Sequence, residues 1–248
     1  MHFQLPEPTH GWPSFAGEVA IVVIGVLIAL GAQSLAERWH WSGEVRIAND
    51  GFREELGTGA GMAFERLIIQ PCLRGRIREL SSLLAQSDGA WKASPMAVAS
   101  GPYSNVMPVA YRGPTRLLPT DRWKNAIANG TLNHLPSDRV RELSSLYGQI
   151  SQFSDLHGEE AKAAARLTPL AFDRQLDAGS RTNMLASLVE ADRINSLMAI
   201  QANQIMEAVR ALGLRFPKAE VEERRRQVVA DQRALRGSCV ANLQLDLG

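Results

Sequence analysis

Two cysteines, three tyrosines and four lysines are all that this 248-residue chain holds of those types, and its charges nearly cancel. Lys and Arg number 27 against 26 Asp and Glu, a formal net charge of +1, so composition lacks the electrostatic footprint of a nucleic-acid binder. Arg outnumbers Lys 23 to 4, which reads as coding bias and becomes a binding footprint only where Arg cluster on one face. Internal repeats and low-complexity runs are absent.

The local signatures of chemistry are missing too. Gly57-Thr58-Gly59-Ala60-Gly61 has the look of a phosphate loop, but no Gly-Lys-Ser/Thr follows and no strand precedes it. The five histidines, His2, His10, His40, His134 and His157, are scattered, and none meets another at the i,i+4 spacing of a metal-binding helix. His157 and Glu160 stand three apart and share a helix face with Phe153. Bundle di-metal centres need two Glu-x-x-His motifs with further Glu, so a single reversed pair is expected at the surface. No Gly-x-Ser-x-Gly elbow, Cys-x-x-Cys pair or catalytic cysteine context occurs. The expectation is a protein without catalytic residues, metal or cofactor.

Against these absences stands one long apolar run. Val19 to Leu30 is unbroken, and Ala16 to Leu35 supplies twenty residues in which only Glu18, Gln33 and Ser34 are strongly polar. A bilayer core of roughly 30 Å takes about 20 helical residues at about 1.5 Å each. Trp12 and Phe15 precede the run and Trp39 and Trp41 follow it, where amphipathic rings settle at two headgroup layers. Trp12 to Trp39 measures about 40 Å of helix, close to a bilayer with its interfaces. A buried core helix and a cleaved signal peptide pass the same length test. Ala29-Leu30-Gly31 could serve a signal peptidase, yet no Lys or Arg precedes the run, whereas a signal peptide has a basic start. An uncleaved single-pass anchor in a bacterial inner membrane is the reading adopted, with the lipid bilayer as first partner.

Two features of the anchor have functional meaning. Glu18 is ionisable at membrane depth, a functional candidate by default, although near the end of the span it can reach the interface at little cost. Gly25 and Ala29 form a small-xxx-small pair that lets two anchors pack closely, so a homo-oligomer stands beside an envelope protein as partner.

Orientation draws two answers. Arg38, Arg46 and Arg53 follow the run and no basic residue precedes it, which by the positive-inside rule puts the bulk of the chain in the cytoplasm. Large domains translocate largely regardless of charge, and Cys72 and Cys239, an even pair beyond the run, suit one disulfide in an exported domain. Such a bridge would close a loop worth roughly 4–5 kcal/mol in the chain-entropy treatment. Two separate buried thiols are the alternative.

The remaining chain reads as helices. About 200 residues make one ordinary domain, and apolar periodicity is helical nearly throughout. Chain organisation follows: a tail at 1–14, the anchor with its aromatic flanks at 15–41, a helical bundle at 42–237 and a tail at 238–248. From Ser42 to about Ile69 the anchor helix continues outward, and Gly51, Gly57, Gly59 and Gly61 predict a break or kink there. Pro71 suits the first turn of a new helix, striped by Leu73, Ile77, Leu80 and Leu84. The segment 87–118 carries Pro95, Gly101, Pro102, Pro108, Gly113 and Pro114 and reads as a long irregular loop packed across the bundle; with Tyr103 and Tyr111 it is also where a partner or ligand surface would lie.

Order returns at Thr120-Asp121, read as a helix cap, with Trp123, Ala126 and Ile127 on one face and Gly130 as the stop. Pro136-Ser137-Asp138 opens a helix whose Val140, Leu143, Leu146, Tyr147, Ile150 and Phe153 recur every three or four residues. Asn183 to Leu212 is the longest clean element. Its Ala191, Met198, Ile205 and Leu212 repeat every seven residues, with Ile194 and Ala208 in the second seam, a coiled-coil pattern. The last helix runs from Pro217 to Gly237, and its Glu222-Glu223-Arg224-Arg225-Arg226 run reads as a solvated face of i,i+3 and i,i+4 pairs. Without strand or hairpin signals, the fold class is all-α: an N-terminal transmembrane helix followed by an antiparallel bundle of four to six helices.

Several of these residues together resemble a known group. His10-Gly11-Trp12, Phe15-Ala16-Gly17-Glu18-Val19, Val26 to Gln33 and Trp41 look like the start of a family of uncharacterised bacterial single-span membrane proteins. Cys72-Leu73 with Arg76 and Leu80, Trp123 with Ala126, Gly130 and Leu135, Tyr147, and Ser238-Cys239 resemble the same family downstream. The resemblance implies a membrane-anchored helical domain with a Cys72–Cys239 link, exported to the periplasm, and brings no activity, substrate, cofactor or catalytic residue. The resulting expectation is a non-enzymatic interaction or scaffold protein of the cell envelope. A ligand-sensing bundle that signals to a membrane partner is the alternative, and a membrane enzyme with an unrecognised site comes third.

Overall fold

In a computed structural model, residues 12–96, 108–114, 116, 118–214 and 216–245 are described, with side chains from residue 15 onward. The Trp12 side chain and Tyr103 lie outside the described residues. The architecture is all-α, organised on one long helix, α1 (Trp12–Gln86). Among the described residues four more follow: α2 (Asp121–Ala128), α3 (Ser137–Arg166), α4 (Ala178–Ala211) and α5 (Lys218–Arg236).

The expected break near the glycines does not occur, and Pro71 lies inside α1 instead of starting a new helix. Tertiary packing overrides propensity here, because the glycines are sites of close approach. A Cβ on Gly57 would stand 2.7 Å from the Phe216 ring, and one on Gly61 3.3 Å from Arg224. Pro71 has no N–H, which removes the bond to the carbonyl four residues back and costs about 3 kcal/mol in a helix interior. Burial around it offsets that cost: Ile68, Ile69 and Leu73 are fully enclosed. The Ala241 N–H donates to the Ile68 carbonyl at 2.7 Å, so the C-terminal segment docks where the proline disturbs the helix.

The stripe Leu73, Ile77, Leu80 and Leu84 is buried as its spacing implies. It faces α4, which runs antiparallel: Arg66 meets Asn195, and further along Arg181 reaches the Ser87 carbonyl. Ala191, Ile194, Met198 and Ile205 form the α4 seam and are fully buried. On its other side α4 packs on α3, through whose Leu143, Leu146, Ile150 and Phe153 the core continues. The Cys72–Cys239 disulfide is formed, joining residues 167 apart.

The long connection does pack across the bundle where it is described, with Trp91, Ala110, Tyr111 and Leu118 in the core. It also supplies one strand of a pair the sequence does not announce. Ala90–Trp91 (β1) pairs antiparallel with Arg174–Gln175 (β2), too short to leave any alternation of side chains as a signal. In α2, Trp123 and Ala126 turn inward while Ile127 is 54% exposed, because two helical turns present only one edge to α1.

The apolar N-terminal part of α1 is long and apolar enough to cross a membrane, and its most apolar window has no burial within the chain. Glu18, Gly25 and Ala29 are exposed there, and nothing approaches Gly25. Trp39 is 76% exposed. Trp41 is not: its ring stacks on His134 at 3.9 Å, with His40 against its edge. His134 ends the 3₁₀ turn Thr131–His134 after Gly130, whose φ of 79° needs glycine.

Replacing paired glycines separates their roles. Gly59→Ala places its methyl 3.9 Å from Ile150 and Leu118, ordinary contact, and is expected to raise unfolding free energy by about 0.5–1 kcal/mol through helix propensity. Gly57→Ala, forced against Phe216, is expected to lower it; chemical denaturation of the two variants compares them directly.

Candidate functional site

A helix that carries Glu55, Glu65 and Arg66 on its enclosed side must provide partners for all three. Arg66 is 1% exposed and Glu160, from α3, 3%. Arg66 Nη1 donates to both Glu160 oxygens at 2.8 Å, and Nη2 donates to Asn195 Oδ1 at 2.6 Å. Tyr111 Oη, from the loop, donates to Glu160 Oε1 at 2.9 Å. Gly113 lies so close that a Cβ there would collide with the Glu160 carboxylate, so glycine lets this stretch of backbone cover it.

The expected surface pair of His157 and Glu160 is therefore corrected. Glu160 points inward because Arg66 supplies a buried countercharge, and His157 is half-buried beside it. A second arm extends to α5. Glu65 accepts from Arg116 Nε and Nη2 at 3.1 and 3.2 Å and from Gln232 Nε2 at 2.7 Å. Arg236 Nε then donates to Gln232 Oε1 at 3.0 Å, and its Nη2 to the Arg112 carbonyl at 3.4 Å. Five segments of chain thus meet on charged hydrogen bonds.

Glu55 forms a separate centre. Its carboxylate accepts from the backbone N–H groups of Arg122 and Trp123 at 3.0 and 3.4 Å and from Tyr147 Oη at 2.6 Å. Thr120 makes no side-chain cap bond, so the cap read from Thr120-Asp121 comes from α1 instead. A negative charge at a helix N-terminus satisfies its free donors and its dipole. Trp123 stacks on Tyr147 at 4.8 Å, with Phe52 tilted against both.

Burial drives the phenols of Tyr111 and Tyr147 above their ordinary range, and Glu160 and Glu55 respectively push the same way. Both stay protonated donors. Burial lowers His157, with Arg66 acting in the same sense and Glu160, the Pro114 backbone and Glu65 opposing.

Two concave regions adjoin these centres. A cavity of about 280 Å³ is bounded by Tyr111, Gly113, His157, Glu160 and Thr168 over an alanine floor, and the buried Nδ1 of His157 has no hydrogen-bond partner. An open groove of about 1060 Å³ separates α1 from the start of α5, lined by Ile47, Asp50, Glu54, Phe216 and Glu220 among others. Among the described residues no three His, Cys, Asp or Glu converge on a metal position. On α5 the charged run forms i,i+3 pairs, Glu222 with Arg225 and Glu223 with Arg226, while Arg224 turns inward to the Gly57 carbonyl.

Among the centre's members Glu160 stands out beside His157 and Tyr111 within the long loop, but no motif marks Glu55, Glu65, Arg66 or Gln232. Asn195 carried a readable signal, standing between Ala191 and Met198 in an apolar seam, and a polar residue there needs a buried partner. Arg66, Glu65 and Glu55 were hidden by the glycine-rich stretch, where a broken helix has no defined inner face. Comparison with protein-family models, curated proteins and solved structures finds no match to this chain.

Arg66→Met is expected to cost about 3–5 kcal/mol, since it strands Glu160 without a countercharge. Arg66→Met with Glu160→Leu is expected to lose less than the single change, which denaturation of both variants decides. A second expectation concerns pH. The folded chain disfavours protonated His157 while the unfolded chain takes up its proton near pH 6.5, so stability is present above that pH and is lost as pH falls through the folded pKa. His157→Gln should flatten melting temperature between about pH 7 and pH 5.5.

Proposed function

We propose that the protein is a bacterial single-pass inner-membrane protein, anchored through Phe15–Trp41, whose helical domain acts by interaction: a scaffold, assembly factor or subunit of an envelope complex. The observation that carries this reading is the uninterrupted α1, which joins a fully exposed apolar stretch to the spine of the core without a hinge. The engagement of the buried carboxylates supports it. Glu55, Glu65 and Glu160 are each held by structural donors, an arrangement for locking helices together and not for general acid or base work, which needs a group free to exchange its proton.

Exposure of the whole apolar window speaks against a core helix of this chain, and the exposure of Trp39 suits a ring seated at a headgroup layer. The disulfide favours an oxidising compartment, and with it a periplasmic domain, over the cytoplasmic placement that Arg38, Arg46 and Arg53 favour. Membership of the single-span family resembled at the N-terminus remains part of this proposal, as does self-association through Gly25 and Ala29. One observation favours the second reading, a ligand-sensing bundle: the cavity beside His157 is polar on one wall and opens next to the loop.

Two arms of one experiment test the proposal in intact spheroplasts. A membrane-impermeant maleimide is expected to label Cys72 and Cys239 only after reduction; labelling that requires lysis overturns the periplasmic placement. Crosslinking in native membranes, read by mass spectrometry, is expected to recover envelope proteins or a second copy. Recovery of the monomer alone sinks the interaction reading.

A further inference from the structure

The bridge between Cys72 and Cys239 joins two unequal surroundings. Cys72 is half-buried toward the C-terminal end of α1, directly after Pro71. Cys239 is exposed at the end of a three-residue 3₁₀ turn, Gly237–Cys239, that leaves α5 through Gly237. What the bridge holds is the least enclosed helix of the bundle. Along α5 only Val229 and Gln232 are buried, and the segment after it contributes Val240, Leu245 and the Ala241–Ile68 hydrogen bond. Through Gln232 and Arg236 this same helix end closes over Glu65 and ties down the Arg112 carbonyl, next to the backbone that covers Glu160.

We propose that the disulfide is an exchange site for a dithiol reductant, attacked at Cys239 Sγ, and that its opening releases α5 and the C-terminal segment from the charged centre. The regiochemistry follows from access: a thiolate must approach one sulfur along the S–S axis, and Cys239 is the exposed partner. Attack forms a mixed disulfide on Cys239 and expels Cys72 as a thiolate, which takes a proton from solvent. The second thiol of the reductant then attacks its own sulfur of the mixed disulfide and frees Cys239, which is protonated in turn. Two electrons and two protons pass from the dithiol to the bridge, leaving an oxidised donor and two protein thiols. Release removes the covalent tie at one end of a helix whose own burial is slight, and the loop segment 108–114 loses its Arg236 contact.

This inference does not depend on which side of a membrane the domain occupies. Its test uses the full chain in detergent micelles without denaturant. Glutathione, a monothiol whose first attack leaves a mixed disulfide that a second glutathione or the expelled thiolate must resolve, is added briefly and quenched with N-ethylmaleimide, and peptides are mapped by mass spectrometry. The adduct is expected on Cys239 in about tenfold excess over Cys72. Adducts on Cys72, or none without denaturant, overturn the proposed site. Dithiothreitol is then used to reduce the bridge fully, and amide hydrogen exchange is read. Residues 218–245 should exchange about tenfold faster or more while α3 and α4 keep their protection, and Cys239→Ser should match the reduced protein without reductant. Unchanged exchange along α5 after full reduction, or equal loosening of all helices, overturns the release.

Discussion

A guanidinium removed from water governs how this bundle closes. Arg66 sits in the enclosed C-terminal part of α1, and a bare charge there would be untenable, so the surrounding segments are ordered by what they bring to it: Glu160 from α3, Asn195 from α4, and Tyr111, which reaches Glu160 from the loop. Such a pair contributes little net stability over a hydrophobic replacement, because desolvation absorbs most of the attraction. Its effect is on selection among packings. Helices with aliphatic stripes can slide by a turn at modest cost, but sliding α3 by a turn would take the Glu160 countercharge from Arg66, and sliding α4 would take Asn195. Charge thus sets the register that apolar periodicity leaves loose.

Around that point α1 does two jobs with one set of small residues. Gly57 and Gly61 give up helix propensity, and in return Phe216 and Arg224 come close enough to close the α5 side. Glu55, just before Gly57 in the same helix, closes the α2 side by capping a helix that has no cap of its own. The Arg122 and Trp123 amides, the Tyr147 hydroxyl and the stacked aromatic rings depend on that single carboxylate. The bundle is held less by many equivalent contacts than by a few side chains of α1, each facing a different neighbour.

Much of this was legible in the residues, and the failures share a cause. Stripes on α3 and α4, the stop at Gly130, the opening at Pro217 and the stripe from Leu73 to Leu84 could be read because each uses only local spacing. The continuity of α1 could not, since its glycines and Pro71 are unfavourable locally and are rescued by partners far away in sequence, Phe216, Arg224 and Ala241. Reading a kink there also erased the inner face on which Glu55, Glu65 and Arg66 lie, and so hid the charged centre. Glu160 reads as solvent-facing for the complementary reason: its partner, Arg66, lies on the stretch whose inner face a kink would remove. Only Asn195, polar within an apolar seam, could have exposed the centre from one helix alone.

The stack of Trp41 on His134 gives the long helix an angular meaning. It clamps the base of the domain to α1 just above the apolar stretch, and from there to Arg66 no joint intervenes. Mechanically the chain is a shaft keyed to its load. Each residue of helix advances about 1.5 Å and turns about 100°, so the side of the domain that faces a neighbour is set by the count of residues between Leu35 and Trp41. One residue more would raise the load slightly and swing it by more than a quarter turn. Spacing in that short interval, more than its chemistry, determines where the domain points.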